Sequence, residues 1–277
     1  MKSDFISVQR EDSEYFKHIF SDAFYHIFLL EGNGKIVVDF TEYDFTGKTI
    51  FFTSPFQNIQ IFSEANIEIE ILNFHGDFYC IEFHKKEVAC NGLLFNNIYL
   101  FPHFELNPAV FEEICHYFLK IKNESYKESF NAEVLRAYLQ LILAICSKEK
   151  NKILLDQNLI KNNFKEIKSF QALVEKHFLS EKSLSFYADL LHIAPNTLSK
   201  KIKANFNKTP SKIIQDRVIL EAKRKIHLTR KSIKEIALEL NFSDEFYFSK
   251  YFKKHTGISP SHFRKEGGIS IVADLDR

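Results

Sequence analysis

The sequence has no cysteine pair with metal-ligand spacing and no hydrophobic run long enough to cross a membrane. Its cysteines, Cys80, Cys90, Cys115 and Cys146, lie in apolar segments without a CxxC motif, which favours buried free thiols in a reducing compartment. The most apolar stretch, 137–146, is too short for a span and contains Gln140. Residues 1–17 lack the apolar core of a secretory signal. We therefore expect a cytoplasmic globular protein with no membrane partner.

Charge is distributed unevenly along the chain. At 277 residues and 45% hydrophobic content, the chain is long enough to form two domains. The formal net charge is only +1, but 165–266 holds 21 Lys and Arg against 11 Asp and Glu, while the remainder holds 16 against 25. A basic domain of this kind has the electrostatic footprint of a phosphate-binding surface.

Residues 1 to about 105 have the pattern of a β domain. The aromatic and β-branched run 24–30 ends at the turn 32–34, and several short runs of the same kind follow, separated by Gly and Pro. Many short strands at close spacing predict a barrel or a jelly roll. Aromatic residues of these strands, including Tyr25, Phe28 and Phe52, either line an effector cavity or form plain core, so we name no effector residue.

Helical periodicity follows, from about 108 to 150. A second helix, predicted over 126–148, has two adjacent apolar stripes. One stripe comprises Phe130, Val134, Tyr138, Leu141 and Ile145, and the other Leu135, Leu139, Ile142 and Cys146. So wide an apolar surface needs two partners. The second is either a second copy of the chain, giving a homodimer, or the rest of its own domain. The polar, lysine-rich segment 151–164 is predicted to be a partly helical connection.

The segment between Ser185 and Arg264 contains an internal sequence repeat with two copies. The segment 198–203 matches 248–253, Ala188 matches Ala237, and the corner residue His192 matches Asn241. His and Asn tolerate the left-handed backbone conformation that such a corner needs. In each copy the apolar residues recur at helical spacing and leave a free face that carries lysines. Two helix-turn-helix units are therefore predicted.

Caps and a connecting helix complete the repeat. Asn207 and Gly257 are predicted left-handed caps, each followed by a Ser or Thr and then Pro at the first position of the next helix. Between the units, 211–228 predicts one helix of about 18 residues, roughly 27 Å long. Its apolar face points inward, and the side chains predicted to point outward are Lys212, Arg217, Lys223 and Arg224. Major-groove faces on one side of DNA are about 34 Å apart, so we expect bound DNA to bend.

The second unit resembles the AraC/XylS family of bacterial transcription regulators. The resemblance is carried by Ile236-Ala237, Asn241-Phe242, the segment 247–254, Gly257-Ile258-Ser259-Pro260 and Phe263-Arg264. Asn241 stands where the family usually has Gly, and it retains tolerance of the left-handed conformation. The resemblance covers about a hundred residues. It implies a transcription regulator that binds double-stranded DNA and is not an enzyme.

The resemblance also implies an α+β multidomain fold. A cupin-like sensor and dimerisation domain would occupy 1–150, with its β-barrel at about 1–105 and its helices at about 108–150. A linker at 151–164 would precede an all-α DNA-binding domain at 165–268, in which a long helix joins helix-turn-helix units at about 183–206 and 232–256. Implied partners are a second copy through the 126–148 helix, a small-molecule effector in the barrel and RNA polymerase. No cofactor is implied.

Base-facing positions are carried over from the same resemblance. In the first unit the free face of the reading helix holds Asn196, Thr197, Ser199, Lys200 and Lys203. In the second unit the candidates are Glu245, Phe246, Tyr247, Lys250 and Lys253. The resemblance implies that Asn196, Ser199 and Lys200 address bases, since Asn pairs with adenine and Lys donates to guanine or phosphate. Phe246 and Tyr247 either contact a thymine methyl, belong to the core or contact phosphate. Because the two sets differ in chemistry, the copies are predicted to read different sequences in tandem.

The rival interpretation is a cupin-type metal enzyme, or a small-molecule binder, with a helical interaction domain. Cys80, Glu82 and His84 alternate on one predicted strand face, with His75 and His103 nearby in sequence. However, the segment after Pro55 reads Phe56-Gln57-Asn58-Ile59-Gln60, where a metal-binding cupin would be expected to place histidine. We therefore predict no catalytic and no metal-binding residue.

Overall fold

The computed structural model describes residues 5–39, 41–79, 93–127, 129–160 and 165–267. Within these residues, the first part of the chain contains eight β-strands, and a 3-10 helix, Tyr15–Lys17, follows the first of them. The strands are β1 (Ile6–Asp12), β2 (Tyr25–Glu31), β3 (Gly34–Val38), β4 (Thr41–Phe45), β5 (Lys48–Thr53), β6 (Ile59–Ser63), β7 (Glu68–Phe74) and β8 (His103–Glu105).

The strands form two antiparallel sheets that face each other. One sheet has the order β1-β7-β2-β5-β8 and the other β4-β3-β6. Phe28 and Leu30 of β2 point into the space between the sheets, whereas Ile27 and Leu29 point to the opposite face. The five central residues of β2 are therefore all buried, which explains why its sequence is continuously apolar.

Two helices cover the outer face of the larger sheet. Helix α1 spans Pro108–Ser125 and is capped by the Asn107 side chain, which accepts from the backbone N–H of Ala109. Helix α2 spans Ala132–Ile160. It begins six residues later than predicted because the Asn131 side chain accepts from the N–H of Glu133 at 2.9 Å and so acts as the N-cap. It also continues beyond 148, through the first ten residues of the predicted connection.

Seven further helices form the C-terminal part. They are α3 (Lys165–His177), α4 (Leu184–Leu190), α5 (Pro195–Phe206), α6 (Pro210–Leu228), α7 (Ile233–Glu239), α8 (Glu245–Thr256) and α9 (Pro260–Gly267). Helix α6 is the predicted connecting helix, and its residues Ile213, Val218, Ala222 and Ile226 are fully buried in the core that both helix-turn-helix units share. At 19 residues it is about 28 Å long.

The predicted fold class is confirmed: a β domain with two helices precedes an all-α domain with two helix-turn-helix units. The described strands form a sandwich of two sheets rather than one closed barrel. Its interior is filled by fully buried side chains, among them Phe16, Phe28 and Phe51. Within the described residues, no helix is both long and apolar enough to cross a membrane.

Candidate nucleic-acid interface

The sequence repeat is reproduced as a repeat of backbone hydrogen bonds. In the first unit the N–H of Ile193 donates to the carbonyl of Ala188 at 3.0 Å, and in the second the N–H of Phe242 donates to the carbonyl of Ala237 at 3.0 Å. At the corners, the N–H of His192 donates to the carbonyl of Asp189 at 3.1 Å, and the N–H of Asn241 donates to the carbonyl of Leu238 at 3.0 Å. Both alanines are fully buried. Each unit is therefore a helix-turn-helix with the same corner geometry.

All the predicted left-handed positions are confirmed. His192 and Asn241 have φ of 54° and 58° at the two corners, and Asn207 and Gly257 have φ of 54° and 82° after the second helices. The next helices begin as predicted, because Thr209 accepts from the N–H of Lys212 and Ser259 from that of His262. These conformations fix the direction of α5 and α8, the helices that would read DNA.

Helix α5 buries one face and exposes the face that carries the predicted contacts. Leu198, Ile202 and Phe206 are buried. On the other side the exposed predicted residues are Asn196, Thr197, Lys200 and Lys203, whereas Ser199 is half-buried. Lys201, which was not predicted as a contact, forms an ion pair with Glu166 of α3. Lys200 and Lys203 form no salt bridge with another described residue, so their charge is available to phosphate.

Helix α8 has the same arrangement with different chemistry. Phe248 and Phe252 are buried, and all the predicted contacts, Glu245, Phe246, Tyr247, Lys250 and Lys253, are exposed. The structure distinguishes the two aromatic residues. Phe246 is 80% exposed, whereas the ring of Tyr247 lies 5.9 Å from that of the buried Phe242. Phe246 is therefore the residue free to contact a thymine methyl.

The two reading helices begin differently. The N-cap of α5 is Ala194, which has no side chain to accept a hydrogen bond, and Pro195 follows it. The N-cap of α8 is Asp244, whose carboxylate accepts from the N–H of Tyr247 at 2.7 Å. This backbone hydrogen bond holds the pKa of Asp244 below its usual range. The first helix thus presents free backbone N–H groups, while the second presents a carboxylate.

The prediction that the basic side chains of α6 point outward into solvent is wrong for two of them. Lys223 is half-buried, and its Nζ donates to the carbonyl of Pro55 in the β domain at 3.0 Å. Arg217 lies between Glu175 and Glu221, with its Nε 2.8 Å from Glu175 Oε2. The β domain packs on this side of α6, and a pattern read within one helix gives no sign of that contact. These charges are therefore not available to DNA in this arrangement.

The main residues of the rival metal site, Cys80, Glu82 and His84, lie outside the described residues. His75 lies beside Asp77, with Nδ1 3.4 Å from Oδ2. Within the described part of the chain, no three His, Cys, Asp or Glu residues form a group that could hold a metal ion. Of the cysteines that are described, Cys115 is half-buried and Cys146 is buried, and both are free thiols.

Comparison with known proteins agrees with this geometry. Residues 187–266 match a family model described as a helix-turn-helix domain. The raffinose operon regulatory protein RafR of Pediococcus pentosaceus is 33% identical over 79 residues, which is 28% of each chain. The chain carries an AraC/XylS-type DNA-binding domain. This AraC-type domain comprises both helix-turn-helix units and the connecting helix α6.

Other relatives extend further along the chain. The transcriptional activator RhaS of Enterobacter sp. (strain 638) is 26% identical over 112 residues, 40% of each chain. RhaS of Escherichia coli O1:K1 is 22% identical over 165 residues, 59% of this chain and 57% of that protein. The chain therefore spans between 28% and 57% of the length of these curated relatives.

Among solved structures, apo ToxT of Vibrio cholerae has a TM-score of 0.44 at 16% identity, with 96% of this chain and 99% of that chain covered. The C-terminal domain of the response regulator YesN of Fusobacterium nucleatum has a TM-score of 0.34 at 29% identity, with 37% and 99% covered.

Proposed function

We propose that the protein is a sequence-specific, DNA-binding transcription regulator whose two helix-turn-helix units read adjacent major grooves. The observation that carries this proposal is the pair of reading helices. Each is buried on one side and exposes on the other side lysines that form no salt bridge with a described residue. The curated relatives named above are regulatory proteins, and we propose no catalytic activity for this chain. The domain limits proposed from the sequence, 1–150 for the β and dimerisation part and 165–268 for the AraC-type part, remain our proposal.

The test begins with selection of bound double-stranded DNA from a random library by the full chain. On the selected site, Lys200→Ala and Lys250→Ala are each expected to weaken binding by on the order of 1–3 kcal/mol in a gel-shift titration. Lys201→Ala is the matched control, because that lysine lies on the same helix but is paired with Glu166. Unchanged affinity in both test variants, or an equal loss in the control, would contradict the assignment of the reading faces.

We further propose a homodimer formed through α2. The stripe containing Leu135, Leu139 and Ile142 is buried against the β domain and α1. In the neighbouring stripe, Phe130, Tyr138 and Ile145 are half-buried against the same core, whereas Val134 and Leu141 remain 36% and 41% exposed. Leu141 is flanked on the same face by the exposed small residues 137 and 144, both Ala, which would allow another helix to approach closely.

Sedimentation velocity tests the dimer. Leu141→Glu is expected to shift the full chain to monomer, because a carboxylate would be buried without a partner in the interface. Leu119→Glu is the control, since Leu119 is an equally exposed leucine, 52%, on α1 outside this stripe. A dimer that survives Leu141→Glu would refute this interface.

A small-molecule effector also belongs to the proposal, but not within the β-sandwich. The space between the sheets is occupied by packed side chains, whereas cavities lie where the β domain meets the AraC-type domain. Contact with RNA polymerase would follow from the proposed role as a regulator.

A further inference from the structure

A groove of about 860 Å³ lies where the β domain, α2 and the first reading helix meet. We call it the β8 groove. Its walls are β8 with the segments on either side of it, the turn between β4 and β5, residues 150–154 of α2, and Ala204 and Asn205 of α5. The volume is in the range of small-molecule sites, and most of the lining side chains are apolar, as in such sites.

Lys150 brings a buried amine to this groove. The residue is 4% exposed, and its Nζ donates to the carbonyl of Phe101 at 2.8 Å. Its Nζ also lies 5.6 Å from the centre of the Phe104 ring. An ammonium has three protons to donate, and no carboxylate of a described residue pairs with it. A buried charge without a counter-ion is unfavourable, so this amine is suited to receive an anionic group.

His103 brings a second polar atom that lacks a partner. Its Nδ1 is buried and forms no hydrogen bond with any described residue. The imidazole is neutral at physiological pH, since burial lowers its pKa to about 4. Its ring is parallel to that of Phe101, with 6.0 Å between centres and 4° between planes, and Phe101 is 44% exposed. A hydroxyl group would satisfy Nδ1 in either tautomer, because it both donates and accepts.

We propose that the β8 groove binds a small planar hydroxy acid, whose carboxylate is received by Lys150 and whose hydroxyl pairs with His103. The exposed Phe101 ring offers the flat surface for its apolar body. Asp44 and Glu105 also line the groove, and their carboxylates would repel a polyanion such as a nucleotide. The binding site therefore selects a single negative charge.

Bound ligand would join the β domain to the first reading helix. An adjoining groove is lined by Lys200 and Lys203 of α5 on one side and by Tyr43 and Asp44 on the other. At its end, the side chain of Asn207 donates to the carbonyl of Glu42 at 2.7 Å. A ligand touching Ala204 and Asn205 strengthens this contact and holds two DNA-facing lysines beside the β domain. We infer that it lowers DNA affinity, a consequence that rests on the proposed function, whereas binding itself does not.

Calorimetric titration of the full chain with 3-hydroxycinnamate and with cinnamate tests the site without DNA. Lys150→Met is expected to weaken both probes at least tenfold. His103→Phe retains a ring in the stack and is expected to weaken 3-hydroxycinnamate to the level of cinnamate, leaving cinnamate unchanged. Lys223→Met removes a half-buried lysine that does not line the β8 groove. It is the matched control and should bind both probes as the unaltered chain does.

Absence of binding by the unaltered chain at millimolar probe would overturn the proposal, as would equal losses in Lys150→Met and Lys223→Met. Equal weakening of both probes by His103→Phe would overturn the hydroxyl pairing. DNA selection, followed by a gel shift with and without 3-hydroxycinnamate, then distinguishes failure of the proposed DNA-binding function from failure of the proposed ligand site. Lys150-dependent binding by a chain that selects no DNA would refute the regulator and retain the site. DNA selection by a chain that binds neither probe would refute only the site.

Discussion

Lys150→Met is expected to stabilise the folded protein at neutral pH. Burial lowers the pKa of this amine from 10.5 to about 7. A shift of that size corresponds to about 5 kcal/mol of penalty on the charged form. Loss of the hydrogen bond to the Phe101 carbonyl opposes the gain by about 1 kcal/mol, and we therefore expect a net stabilisation of about 2–4 kcal/mol at pH 7.

The sign of the pH dependence follows from the same pKa. Below pH 7 the amine is charged in both the folded and the unfolded chain, so the folded state bears the whole penalty. Between pH 7 and 10.5 the folded amine is already neutral while the unfolded amine is still charged, so the penalty shrinks as the pH rises. At about pH 9.5 only about 1 kcal/mol remains, which the lost hydrogen bond offsets.

Urea unfolding followed by circular dichroism, for both proteins at pH 7 and pH 9.5, measures this effect. At each pH, the free energy of unfolding of the parent is subtracted from that of the variant. The change in this stability difference between pH 7 and pH 9.5 isolates Lys150, because the other titrating groups are common to both proteins. The neighbouring Cys146 remains a thiol over this range, since burial raises its pKa. If the variant gains the same free energy of unfolding over the parent at both pH values, or is less stable than the parent at pH 7, the argument that Lys150 is buried without a counter-ion is refuted.

The remaining predictions concern the AraC-type domain. Gly257→Ala and Asn241→Ala are each expected to lower the free energy of unfolding by about 1 kcal/mol, because both positions have a left-handed backbone, and Lys254→Ala is the neutral control. Steric clash is not the cause at Gly257, since an added Cβ would meet nothing within 4 Å. The α6 helix, about 28 Å long, is shorter than the roughly 34 Å between successive major grooves, so circularly permuted probes should migrate differently when bound. If all the bound probes migrate alike, the DNA is not bent, and the positions of the two units relative to α6 must make up the difference between the helix length and the groove spacing.

Local features were predictable from the sequence because each depends on residues close together in the chain. The corner residues His192 and Asn241 and the cap Asn207 are identified by their tolerance of a positive φ. The apolar spacing of Leu198 and Ile202 identifies the buried face of α5, and hence its free face. The start of α2 is a local feature that was missed, since the cap at Asn131 was not recognised.

Contacts between distant segments could not be predicted in the same way. Lys223 has the helical spacing of a solvent-facing residue, but it is half-buried and donates to the carbonyl of Pro55, 168 positions away. Lys150 lies in the polar run Lys148-Glu149-Lys150-Asn151-Lys152, which gives no sign that its middle lysine is buried. The β8 groove was unpredictable for this reason, because its walls come from four separate segments of the chain.

The recurrence of the same corner hydrogen bonds in both units has a consequence for how such a chain can change. The corner bonds are made by the backbone, whereas the side chains of α5 and α8 that we propose to face DNA take no part in them. The exposed side chains of one reading helix can therefore be replaced by those of the other without loss of the corner hydrogen bonds. Lys200 and Lys203 already match Lys250 and Lys253. Grafting Phe246 and Tyr247 onto positions 196 and 197 of α5 should therefore leave the fold intact and produce a protein that recognises a direct repeat. By the same separation, each half of the recognition sequence is free to evolve without altering the other.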